Sequence, residues 1–88
     1  MFHKVKTVSP LPDFKLKVDF CEGETKIYDV KPLFDEIKGF DALKKDPMLF
    51  SKVAVDMGGY GIAWNDEIDL SCDSLWYGGE AIGSGGIS

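Results

Sequence analysis

Between Phe14 and Cys21 apolar and polar residues alternate: Phe14, Leu16, Val18 and Phe20 fall on one side, Lys15, Lys17, Asp19 and Cys21 on the other. A repeat of two marks a strand with one buried and one wet face. Val5 to Val8 reads as a preceding strand, joined through the proline- and aspartate-bearing stretch Ser9 to Asp13. Gly23, between Glu22 and Glu24, can take the positive φ of a tight turn, after which Thr25 to Val30 pairs back. Connections this short make the first three strands antiparallel.

The period then changes. Leu33, Phe34 and Ile37 recur at helical spacing, with Pro32 suited to the first helical position and Gly39 to the stop. Phe40 to Lys45 can add a turn, and Asp46-Pro47 offers a cap and first-turn proline for a helical piece ending near Ser51. Val53, Val55 and Met57 alternate again, Gly58 to Gly61 bends the chain, and Ile62 and Trp64 continue on a further strand. Ser71 is placed to cap a last helix, Cys72 to Tyr77, stopped by Gly78-Gly79. The pattern predicts an α+β domain over residues 1–79, with a mainly antiparallel sheet of about five strands and two or three short helices. Residues 80–88, rich in glycine and serine, are expected as a flexible tail.

Length and composition narrow the picture. With 88 residues, 44% of them hydrophobic and 12% aromatic, there is material for one modest core and too much of it for disorder. No apolar run approaches the roughly 20 residues of a membrane span, and the first residues have no signal-peptide pattern, so a soluble cytoplasmic protein with no membrane role is expected. Two cysteines, Cys21 and Cys72, are too few for a secreted disulfide scaffold and are expected reduced. The net charge is −5, and all ten basic residues are lysines. Residues 53–88 carry six acids and no lysine. A chain without arginine or a basic footprint is not built to bind nucleic acid.

The same stretch holds the chemical candidates. Asn65, Asp66, Glu67 and Asp69 could ligate calcium, but an EF-hand loop counted from Asn65 puts Leu70 and Trp76 where its glycine and bidentate glutamate belong. Gly58 to Gly61 leads into a strand rather than the helix N-terminus a phosphate loop needs. His3, the one histidine, lies near a chain end where fraying is expected, a poor place for a base. Cys21 stands beside Glu22 and Glu24, which oppose the thiolate a nucleophile requires. No cofactor, metal site or catalytic residue is expected. The aromatics divide: Trp64 reads as core, whereas Trp76 and Tyr77 fit either core or a contact surface. The candidate interaction surface is therefore Asp66, Glu67, Asp69 and Asp73 with Trp76 and Tyr77.

Several pieces, in order and spacing, resemble the prokaryotic family catalogued as domain of unknown function 2442. They are Phe20-Cys21-Glu22-Gly23-Glu24, Tyr28-Asp29-Val30, Pro32-Leu33, Phe50 with Val53 and Val55, Gly61-Ile62-Ala63-Trp64 with Asp69-Leu70, and Leu75-Trp76-Tyr77. The resemblance covers residues 5 to about 78. It implies a small α+β domain, sometimes joined to a helix-turn-helix domain, encoded beside another tiny gene in a toxin–antitoxin-like arrangement, and it brings no catalytic residue. No helix-turn-helix pattern is present in this chain, so the DNA-binding version of the role is not implied. Relatives tend to have glycine where Glu67 stands, which predicts a different hairpin turn here. The function expected is a non-enzymatic protein-interaction module, antitoxin-like toward a neighbouring small gene product. A basic protein partner is expected, and homo-oligomerisation is left open. The alternative is a small-ligand or hydrolytic domain using the acidic turn and the C-terminal aromatics.

Overall fold

The computed structural model describes residues 3–82. The alternating segment forms the centre of the first sheet. Strand β1 (Val5–Leu11) pairs with β2 (Lys15–Phe20), which pairs with β3 (Thr25–Asp29), all antiparallel. Leu16, Val18 and Phe20 are essentially sealed from solvent while Lys17 is exposed, so the register follows the apolar positions.

Phe14 departs from the expected strand. It sits in a 3-10 turn, Pro12–Phe14, where both Asp13 and Phe14 have positive φ. The connection is thus tighter than a loop, and β1 runs on to Leu11. Lys31 secures the corner: its ammonium reaches the Asp13 carboxylate at 2.9 Å and that of Asp29 at 3.0 Å. Phe14 is half-buried and packs edge-on against Phe34 and Phe50.

Three one-turn helices follow: α1 (Leu33–Glu36), α2 (Asp41–Lys45) and α3 (Pro47–Phe50). Asp46 caps α3 by accepting from the Met48 and Leu49 amides, with Pro47 in the first turn. These helices are too short to persist on their own. Leu33, Phe40, Leu43 and Phe50 bury against the core and hold them in place.

A second antiparallel sheet is built from β4 (Ala54–Val55), β5 (Gly61–Ala63) and β6 (Asp69–Ser71). Met57 does not continue the β4 alternation. It lies in a 3-10 turn, Met57–Gly59, with its side chain 95% exposed. Gly61 allows β5 and β6 to close up, because a Cβ there would stand 2.4 Å from the Leu70 carbonyl oxygen. Ser71 caps α4 (Cys72–Gly78) through the Ser74 amide, as its position predicts. The chain then adds β7 (Glu80–Ala81) to the edge of β3, completing a four-stranded sheet in the order β1-β2-β3-β7.

The architecture is α+β as expected, and the described residues form seven strands in two antiparallel sheets and four short helices, where about five strands and two or three helices are expected from the sequence. Of the expected tail, Glu80 and Ala81 are paired to β3, and residues 83–88 lie outside the described residues. Among the described residues a cluster of sixteen buried side chains, from Val5 to Leu75, joins both sheets and the helices. Among the described residues no helix is long and apolar enough to cross a membrane.

Candidate functional site

The acidic turn joins β5 to β6. Its shape comes from Asn65, whose Oδ1 accepts from the Glu67 amide at 2.8 Å and the Ile68 amide at 2.9 Å, while the Trp64 amide donates to the Ile68 carbonyl. This side-chain mimic of a backbone turn leaves Glu67 without positive φ, so it needs no glycine. Asp66, Glu67 and Asp69 project into solvent. Ile68 and Trp64 turn inward, and Trp64 packs on Phe40 and Phe50.

The structure does not gather the six predicted surface residues into one array. Asp66 and Glu67 occupy the turn at one end of the three-residue strand β6, whereas Asp73 lies beyond its other end, in the first turn of α4. Trp76 faces the first sheet. Its indole is stacked on the His3 imidazole, with centroids 3.8 Å apart and planes 4° from parallel, and meets the edge of Phe20 at 4.9 Å. The Lys26 ammonium stands 4.1 Å from the same centroid. Tyr77 is 78% exposed and touches His3 edge-on at 6.3 Å. Asp73 and Tyr77, four residues apart, share a helix face.

His3 corrects the expectation of a frayed end. Its Nδ1 lies 2.6 Å from Glu22 Oε1, and with Trp76 beneath the ring the side chain is held on two sides. No local pattern announces this, because the three residues are far apart in sequence. Two further groups escaped the reading for the same reason. Lys4 places its ammonium 5.0 Å over the ring of Tyr60, and Tyr60 accepts at its carbonyl from the Cys72 amide, which joins the Met57–Tyr60 bend to α4.

Both cysteines are free. Cys21 is exposed, and Cys72 is buried, its thiol pushed up first by burial and then by Asp73, with Asp56 adding to it. Among the described residues there is no group of three histidine, cysteine or carboxylate side chains able to hold a metal.

A polar row crosses the outer face of the first sheet. Asp19 accepts from Thr25 Oγ1 at 2.6 Å and Thr7 Oγ1 at 2.7 Å, directly across the strand pairs Thr7–Asp19 and Asp19–Thr25. A shallow groove of about 320 Å³ lies over it, also lined by Lys6 and Glu24. The two hydroxyls, Thr25 first, draw the Asp19 carboxyl below its ordinary value of 3.8. A carboxylate so engaged is a weak base. The folded carboxyl titrates below the unfolded one, so its contribution to stability is complete above about pH 4 and is lost as pH falls through the folded value. Asp19→Asn should therefore show a shallower decline of thermal midpoint below about pH 4 than wild type. Parallel melts between pH 2.5 and 6 check it, and identical slopes would assign the acid sensitivity elsewhere.

The family model described as "Protein of unknown function (DUF2442)" matches residues 5–81. The chain belongs to that family. Comparison with curated proteins and with solved structures gave no match. The matched span ends at Ala81, the last residue of β7, so the edge strand lies inside the family's domain.

Proposed function

We propose that this member of the family is a non-enzymatic protein-interaction module whose partner is a basic protein, antitoxin-like toward the product of a neighbouring small gene. The observation that carries the reading is the character of the C-terminal third. Asp56, Asp66, Glu67, Asp69 and Asp73 are all exposed, and beside them Met57 and Tyr77 keep 95% and 78% of their surface in water. Large apolar and aromatic side chains left exposed among like charges suit a contact that charge steers and the anchors retain.

Of the predicted surface, Tyr77 and Asp73 stand nearest to such an anchor arrangement, and the turn of Asp66, Glu67 and Asp69 acts in approach. Titration of the adjacent gene's purified product against this protein, followed by calorimetry and by stopped-flow mixing, tests the reading. Binding should weaken as salt rises. Joint replacement of Asp66, Glu67 and Asp69 by their amides should slow association and flatten its salt dependence, and Tyr77→Ala should mainly speed dissociation. Unchanged rates in the folded variants, or no binding at all, would overturn the module.

A further inference from the structure

The bases near α4 are distributed in a telling way. Three of them sit on aromatic rings: Lys4 on Tyr60, and both His3 and Lys26 on Trp76. His3 and Lys26 stand too close to one centroid to share a face, so the indole is covered on both. Carboxylates border the same surface. Glu22 holds His3, and Asp73 lies one turn before Tyr77. Aromatic faces with carboxylates alongside attract cations, and here the chain's own basic side chains lie on them.

We propose that the outer faces of Trp76 and Tyr60 are docking positions for lysine or arginine side chains of a protein partner, and that His3 and Lys4 occupy them in the free protein. This rests on the interaction-module reading and adds a competition to it. Opening needs no backbone rearrangement. The Lys4 carbonyl accepts from the Cys21 amide at 2.8 Å, which fixes the chain while the His3 and Lys4 side chains rotate away. When His3 leaves, the Glu22 carboxylate is released to pair with the incoming cation, and a guanidinium, flat and weakly hydrated, can stack where the imidazole lay. Lys26 remains on the opposite face. The two residues thus act as a strap that a basic segment must displace, and the free protein is only fractionally competent to bind.

The test uses a fluorescein-labelled decapeptide of alternating arginine and glycine, followed by anisotropy at about 0.15 M salt, where distant surface charges are largely screened. Compared are wild type, the double variant His3→Ala with Lys4→Gln, and the same variant carrying Trp76→Leu or, should that one melt early, Tyr60→Leu. Removing the strap should tighten binding roughly fivefold to tenfold, and the aromatic substitution should erase the gain. The amide replacements at Asp66, Glu67 and Asp69 should change the peptide's affinity less than Trp76→Leu does. Equal or weaker binding by the folded double variant, or a gain that survives loss of the aromatic ring, would overturn the strap. Absence of peptide binding in every variant would also overturn it. The titration of the adjacent gene's product decides the module separately, so the two failures are distinguishable.

Discussion

Val18→Asp should abolish the folded state at room temperature. Val18 is fully buried at the centre of β2, flanked on the same face by Leu16 and Phe20. The substitution removes an apolar contact worth about 1.5–3 kcal/mol and puts a carboxylate where nothing can pair with it, a further cost of several kcal/mol. A domain of this size holds only about 5 kcal/mol or slightly more in reserve. The neighbouring Lys17→Ser, on the exposed face, should stay within about 0.5 kcal/mol of wild type. Circular dichroism melts of the two variants check the pair. A cooperative melt in Val18→Asp close to that of wild type would mean that the strand is slipped by one residue, which exchanges the two faces.

That contrast shows where the sequence was informative. Leu16, Val18 and Phe20 declare β2 because one face is buried over its whole length. The capping residues Asp46 and Ser71 declare α3 and α4 because a cap is a bond within three residues of its own chain. Strand β6 left no such trace: in three residues only Leu70 is buried, and one apolar position has no period. Strand β7 has both residues exposed and exists through pairing to Lys26 and Ile27, partners more than fifty positions away. Phe14 continued the alternation by coincidence, since a turn in the left-handed region redirected it toward Phe34 and Phe50. The site divides along the same line. The acidic excess of residues 53–88 was legible from composition, but the contacts of basic side chains with aromatic rings were not. His3 and Trp76, Lys26 and Trp76, and Lys4 and Tyr60 meet only because segments far apart in the chain close on one another. The reading of Trp76 and Tyr77 as either core or surface is resolved by division: Trp76 is half-buried against Phe20, and Tyr77 points outward.

Trp64 separates packing from hydrogen bonding beside the second sheet. Its side chain is 6% exposed, lies against Phe40 and Phe50, and donates from Nε1 to the Phe50 carbonyl at 3.0 Å. That carbonyl belongs to the last residue of α3, whose final turn has no further helix to bond it. The indole therefore does two things: it fills the space between the second sheet and the short helices, and it ends α3. Trp64→Ala should cost about 3–5 kcal/mol, since it leaves a cavity under helices with no stability of their own. Trp64→Phe keeps most of the apolar contact and loses the donor, so the buried carbonyl goes unpaired and the cost should be about 1–3 kcal/mol. Chemical denaturation of both variants, with hydrogen exchange at the amides of α2 and α3, measures the two effects. Faster exchange in α3 of the phenylalanine variant, with the first sheet still protected, is the expected pattern. If Trp64→Phe matches wild type in both stability and exchange, the bond to Phe50 contributes nothing, and the tryptophan is retained for its volume alone.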